Sequence, residues 1–127
     1  MAKKMIIVGE PAAARQLVRQ SVALPQDTVL ECATADEALK SVGVFQPDCV
    51  MLGVSLPAPG AFQAIRRIRK THPEMRVVAV SHSGDAILRE AAQAAGAAGF
   101  VTTENLSELF LLAAPERLTA KPVRRKK

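Results

Sequence analysis

Residues 46–57 read Gln-Pro-Asp-Cys-Val-Met-Leu-Gly-Val-Ser-Leu-Pro. The apolar run at 49–54 has the length and composition of a strand that is buried on both faces. Beyond it, Phe62, Ile65 and Ile68 recur at the spacing of one helix face. A buried strand followed by an amphipathic helix is half of a β-α-β unit, so this stretch predicts an α/β fold.

The same alternation runs through the whole chain. Strands are predicted at 5–8, 28–32, 49–54, 77–81 and 99–102, and helices at 12–22, 36–44, 61–71, 86–95 and 104–113. Apolar strands separated by helices predict a parallel sheet that is covered on both faces. The short connections favour right-handed crossovers, so we expect a doubly wound five-stranded sheet.

The first helix carries a two-sided pattern. Ala13, Leu17 and Val18 are expected to face the sheet, with Arg15 and Arg19 on the opposite side. This pattern predicts that both arginines point towards solvent.

Local signals mark the ends of two other helices. Thr34 and Glu37 have the spacing of a capping box, which predicts a helix start. Gly96 closes an Ala-rich helical segment, and glycine is favoured immediately after a helix.

Charge divides the chain into two parts. Its 127 residues contain 17 Lys and Arg against 12 Asp and Glu, a net charge of +5. Five of the basic residues lie within 121–127, which leaves 12 basic and 12 acidic residues before them. We therefore predict a neutral domain at 1–116 and a basic, disordered tail at 117–127.

Composition argues against several classes of protein. There is no Trp or Tyr and only four Phe, too few for aromatic platforms that stack nucleic-acid bases. Cys32 and Cys49 lack the spacing of a metal site, so they are predicted to be buried thiols. No signal peptide or 18-residue apolar stretch is present, which predicts a cytoplasmic protein without a membrane contact.

In a doubly wound sheet the functional site lies at the carboxyl ends of the strands. The residues that follow the predicted strands there include Glu10, Gly53, Ser81, His82 and Thr103. Only Glu10 supplies a carboxylate, and neither a nucleophile–base set nor a Gly-rich phosphate loop is present. His82 is interpreted as a lone solvent-facing histidine. These features predict a protein that is not an enzyme.

The order of the motifs identifies a family. The motifs are the stretch 46–57, Gly60, Ala-Ile-Arg-Arg-Ile-Arg at 64–69, His72-Pro73, Arg-Val-Val-Ala-Val-Ser at 76–81 and Ala-Ala-Gly-Ala-Ala-Gly-Phe-Val at 94–101. The chain from about Lys4 to Ala114 resembles the receiver domain of bacterial two-component response regulators, particularly those with a helix-turn-helix output domain. The resemblance implies a flavodoxin-like (βα)5 fold with strand order 2-1-3-4-5.

The resemblance also implies that the phosphorylation chemistry is degenerate. The acidic pair of the family falls at Gly9 and Glu10, its phosphoaccepting aspartate at Gly53 and its lysine at Thr103. Glycine has no side chain to attack phosphorus, and Glu10 alone is a poor anchor for Mg²⁺. We therefore expect a pseudo-receiver without an acyl-phosphate or a cofactor, whose Mg²⁺ binding is lost or weak.

Two further positions concern conformational switching and partner binding. The switch hydroxyl is kept as Ser81, and the aromatic switch position is Phe100, without a tyrosine hydroxyl. Receivers commonly bind partners through the surface built here from Ala86–Ala95, Phe100 and 104–114 (Glu104 to Ala114). This surface predicts a phosphorylation-independent interaction module whose partner is a signalling protein or a second copy of the chain.

Two alternatives stay open. The basic tail predicts salt-dependent contact with phosphates, as in a nucleic-acid-associated transcriptional regulator. The space left by Gly9 and Gly53 suggests a receiver fold whose emptied pocket binds a small ligand.

Overall fold

A computed structural model describes residues 2–9, 12–54, 60–82 and 84–105. In these residues five strands alternate with four α-helices, as predicted for this part of the chain. The elements are β1 (Lys4–Val8), α1 (Ala12–Val22), β2 (Thr28–Cys32), α2 (Ala35–Phe45), β3 (Cys49–Gly53), α3 (Gly60–Thr71), β4 (Arg76–Ser81), α4 (Ala86–Ala95) and β5 (Gly99–Thr102).

The sheet has the predicted topology. All strands are parallel and follow the order β2-β1-β3-β4-β5, which confirms the flavodoxin-like doubly wound fold. The chain adds β2 on one side of β1 and the remaining strands on the other. Val8 is in register with Leu52, so the carboxyl ends of β1 and β3 lie side by side at this switch point.

Both faces of the sheet are apolar because successive side chains of a buried strand point to opposite sides. Ile6 and Val8 belong to the core under α2, α3 and α4. Met5 and Ile7 belong to the core on the other face, where Val18 and Val22 of α1 pack. The near-continuous apolar strands are therefore explained by helices on both sides of the sheet.

The predicted helix caps are present. Thr34 Oγ1 accepts a hydrogen bond from the Glu37 amide at 3.2 Å, and Glu37 Oε1 accepts one from the Ala33 amide at 2.8 Å. The capping glutamate thus reaches one residue further back than a capping box requires. Gly96 caps α4 with a left-handed φ of 109°.

The expectation for the faces of α1 is wrong at three positions, because Ala13 and Leu17 are exposed and Arg15 is partly buried. Leu17 is 54% exposed, whereas the Arg15 side chain is only 16% exposed. The buried positions of α1 are Val18 and Val22, so the helix is rotated away from the orientation predicted for Leu17. The rotation is compatible with a partly buried arginine because two oxygen acceptors, Glu31 Oε1 and the Gly9 carbonyl, accept hydrogen bonds from its guanidinium group.

The predicted fifth helix falls mainly outside the described residues. Glu104 and Asn105, its first two residues, lie instead in a 3-10 turn that begins at Thr103. The described residues end at 105. They therefore do not include the rest of 104–114, the predicted domain boundary at 116 or the predicted tail at 117–127. In the part of the chain that is described, no helix has the length and apolar character needed to cross a bilayer.

Substitution of Gly96 by alanine should destabilise the fold. Its positive φ disfavours any side chain, and a Cβ would lie 2.7 Å from Arg69 Cγ. We expect Gly96→Ala to lower the free energy of unfolding by about 1–3 kcal/mol, measured by urea denaturation.

Gly43 is the matched control, because it lies within α2 and a Cβ there would meet nothing within 4 Å. Gly43→Ala should raise the free energy of unfolding by about 0.5–1 kcal/mol. Equal effects of the two substitutions would contradict the role assigned to the left-handed cap.

Candidate functional site

A cavity of about 270 Å³ lies at the carboxyl ends of β1, β3 and β4. Its apolar wall includes Ile7, Met51 and Val80 from the sheet, with Val18 from α1 and Leu88 from α4. The cavity therefore occupies the switch point, where a doubly wound sheet is expected to hold its functional site.

Two glycines line the cavity next to each other. A Cβ built on Gly53 would lie 3.5 Å from the Val8 carbonyl oxygen and 3.8 Å from Gly9 Cα, which are ordinary contacts. Gly53 also lacks the positive φ that would require glycine. The backbone at 53 can therefore carry a side chain, so neither conformation nor crowding explains the glycine.

Hydroxyl groups and a histidine complete the sequence-predicted part of the lining. Ser81 ends β4 and is 7% exposed, and Thr103 is half-buried after β5. His82 lines the cavity and is exposed, as predicted. The structure thus brings Gly9, Gly53, Ser81 and Thr103 together, while Glu10 lies outside the described residues.

Phe100 is separate from this cavity. Its side chain is 6% exposed and belongs to the core beneath α3 and α4, on the opposite face of the sheet from Ile7. The Arg89 guanidinium lies 4.8 Å from the ring centroid, and Arg89 Nη1 donates a hydrogen bond to the Phe100 carbonyl at 3.5 Å. The aromatic switch position is therefore a packed core residue under α4.

Arg15 lines the cavity but was not predicted as a site residue. Its Nη1 donates to the Gly9 carbonyl at 2.6 Å, and its Nε donates to Glu31 Oε1 at 3.1 Å. Arg19 Nη1 donates to Glu31 Oε2 at 2.9 Å. The sequence feature that could have revealed this network is Glu31, because it is an acidic residue within the mostly apolar edge strand β2.

The two arginines change the ionisation of their shared carboxylate. Hydrogen bonds from Arg19 and then Arg15 lower the pKa of Glu31 below its ordinary value of 4.5, against a smaller opposing effect of burial. Glu31 is therefore held in its charged form at neutral pH, where it fixes α1 to the edge of the sheet.

The described residues do not fit Mg²⁺. Among them no carboxylate lines the cavity, and no three His, Cys, Asp or Glu side chains are grouped so that they could hold a metal ion. Mg²⁺ prefers oxygen ligands in near-octahedral order, including one or two carboxylates. Arg15 places a positive charge at the cavity instead.

Both cysteines are buried free thiols, as predicted. Burial raises the pKa of Cys49 to about 12 and also raises the pKa of Cys32. They belong to the cores on opposite faces of the sheet. Neither thiol has the lowered pKa of a reactive cysteine.

The Glu31 network should contribute a pH-dependent part of the stability. Because the folded pKa is lowered, this contribution is present above the ordinary value of 4.5 and is lost as the pH falls through the folded pKa. We expect Glu31→Gln to lower the free energy of unfolding by about 0.5–1 kcal/mol at neutral pH. The difference should be smaller at an acidic pH well below 4.5 than at neutral pH, as measured by denaturant titration at each pH.

The matched control is Glu90→Gln, because Glu90 is exposed on α4 and has no ion pair with a described residue. It should change stability little at either pH. A loss for Glu31→Gln that is equally large at both pH values would contradict the electrostatic explanation.

Comparisons with known proteins agree with this arrangement. The profile of the response regulator receiver domain family matches residues 5–112. Response regulator GacA of Pseudomonas viridiflava is 33% identical over 69 residues, 54% of this chain and 32% of GacA. The match thus covers about a third of the length of GacA. Chemotaxis protein CheY of Thermotoga maritima is 26% identical over 102 residues, 80% of this chain and 85% of CheY.

Solved structures give the same result. A two-component response regulator of the LuxR family from Aurantimonas sp. SI85-9A1 superposes with a TM-score of 0.80 and 28% sequence identity. The superposition covers 94% of this chain and 86% of that one. Together with the sheet order and the family match over most of the chain, these similarities confirm the expected family: this chain belongs to the response regulator receiver domains.

Proposed function

We propose that this chain is a receiver domain that acts without phosphorylation, as a protein-interaction module in two-component signal transduction. The observation that carries the proposal is Gly53. It ends β3 beside Gly9, at the position where the resemblance puts the phosphoaccepting aspartate. A glycine there supplies no carboxylate to attack phosphorus.

The surroundings of Gly53 support the same interpretation. Phosphoryl transfer depends on positioning and on charges that stabilise the transition state. Thr103 lines the cavity in place of the family's lysine, and Gly9 lines it in place of one family acid. Weak or absent Mg²⁺ binding, no resident cofactor and no enzymatic activity are parts of this proposal.

A receiver without phosphorylation needs another source of conformational control. Phe100 is packed beneath Arg89, with the guanidinium 4.8 Å from the ring centroid. A buried ring held in this way takes its orientation from packing, and binding of a partner to α4 would select among its arrangements.

The proposed interaction surface is the outer face of α4. Ile87 is 75% exposed there, and Ala86 and Ala94 are exposed small residues that allow close approach. Phe100 is buried, so it supports this surface from beneath rather than presenting its ring to a partner. The part of the predicted surface after Asn105 lies outside the described residues. The partner we propose is a signalling protein or a second copy of the chain.

Phosphorylation reagents should leave the protein unchanged. With acetyl phosphate or beryllofluoride plus Mg²⁺, we expect no saturable shift of the Gly53 or Thr103 amide signals in NMR spectra, because no acceptor carboxylate is present. A saturable shift centred on Gly53 would overturn the proposal.

Variants provide the positive control. The cavity has room at both glycines, because the nearest atom to a Cβ on Gly9 is Arg15 Cγ at 3.9 Å. Gly53→Asp combined with Gly9→Asp and Thr103→Lys should gain labelling by acetyl phosphate. Gly53→Ala combined with the same two changes should stay unlabelled. Labelling of the alanine variant would locate the acceptor elsewhere.

The α4 surface should be sensitive to charge. Ile87→Glu is expected to weaken self-association or capture of a signalling partner at least about tenfold, because it puts a charge into an apolar contact. Sedimentation velocity measures the first and quantitative pull-down the second, each with and without acetyl phosphate.

Val44→Glu is the matched control, because Val44 is 88% exposed near the end of α2. It should leave both readouts unchanged. Equal loss in the two variants, or association that requires acetyl phosphate, would contradict the proposed surface and mechanism.

A further inference from the structure

We propose that the cavity at the switch point binds a small aromatic monocarboxylate, up to the size of a fused two-ring system. The ligand would place its rings on the apolar wall formed by the sheet and its carboxylate near Arg15. The cavity does not include the exposed α4 residues Ala86, Ile87 and Ala94 of the proposed interaction surface, so this binding can succeed or fail separately from the interaction function proposed above.

The volume of the cavity sets the size of the ligand. A dry apolar cavity of about 150 Å³ in another protein accommodates benzene. The cavity here is about 270 Å³ and therefore has room for a second fused ring. It is smaller than the pockets of drug-sized ligands, which begin at about 300 Å³.

The wall of the cavity indicates a flat apolar body. Ile7 is in register with Met51 on the neighbouring strand, and Val80 lies one strand further along the same face. Same-face side chains on adjacent parallel strands form a broad surface. Val18 and Leu88 add apolar side chains from two helices. A planar ring system would cover this surface without leaving an unpaired polar group in it.

The charges around the cavity indicate an anion. Among the described residues, Arg15 and Arg19 pair with one carboxylate, that of Glu31, so these three side chains together carry one net positive charge. Arg15 has five N–H donors, and two of them bond to Glu31 and Gly9 within the described residues. No carboxylate is found among the described lining residues. A guanidinium with donors to spare is suited to bind a carboxylate.

NMR titration with 2-naphthoate tests the proposal on the full chain. We expect saturable shifts of the methyl signals of Ile7, Met51 and Val80, with a dissociation constant of about 1 mM or tighter for a ligand of this size. Methyl signals of Val42 and Ile65, in the core on the other face, should stay in place. Acetate carries the charge without the rings and should produce no saturable shift of these methyl groups.

Two variants and a neutral probe test the electrostatic part. Arg15→Met keeps an apolar stem and should weaken 2-naphthoate about tenfold while leaving neutral 2-naphthalenemethanol unaffected. Glu31→Gln removes the competing carboxylate and should tighten 2-naphthoate several-fold. The second variant keeps the test decisive if Arg15→Met does not fold.

Three results would overturn the proposal. The first is the absence of saturable shifts at the cavity methyl groups up to the solubility limit of 2-naphthoate. The second is equal movement of the control methyl groups, which would indicate non-specific binding. The third is failure of the electrostatic test, seen either as equal affinity for 2-naphthoate and 2-naphthalenemethanol or as no tightening by Glu31→Gln, because the carboxylate would then take no part in recognition.

Discussion

Strand β1 is hydrogen-bonded to β2 on one edge and to β3 on the other, and the arrangement of the whole domain depends on this central position. Parallel strands need crossover helices. Because the chain adds strands on both sides of β1 with crossovers of the same hand, the helices lie on both faces of the sheet. Its carboxyl end is also where the strand order reverses. The cavity lies there because the connections that leave β1 and β3 pass to opposite faces of the sheet.

The position of α1 depends on a second, polar constraint. Burying Arg15 would be costly without partners, and Glu31 and the Gly9 carbonyl supply them. The resulting network joins α1, Gly9 after β1 and edge strand β2, and two of its members, Arg15 and Gly9, line the cavity. Among the described lining residues the cavity thus has the positive Arg15 and no carboxylate, whereas a phosphoryl-accepting site with Mg²⁺ would need carboxylates. This difference in charge is the physical basis for proposing a carboxylate ligand.

The receiver fold and the phosphorylation chemistry of the family depend on different groups of residues. The fold rests on apolar strands and helices, which are intact in this chain. Phosphorylation in the family rests on a few charged side chains at the strand ends, and Gly53 and Thr103 supply none. A domain can lose such side chains without losing its fold, because charged side chains at the strand ends contribute less to folding than the apolar core. The outer face of α4 does not depend on these side chains, so it can still bind a partner in the way proposed above.

The sequence by itself determined the five strands, the four described α-helices and the place of several residues that line the cavity. The central strands are short, continuous apolar runs and burial in the helices recurs about every third or fourth residue, so these elements can be predicted from the local sequence. Their order places Gly9, Gly53, Ser81 and Thr103 at one edge. The tertiary structure alone decided the rotation of α1, because an amphipathic pattern does not tell which polar partner lies opposite Arg15. It also decided that Phe100 packs beneath Arg89 and away from the cavity, since strand register and helix packing join residues that are distant in sequence.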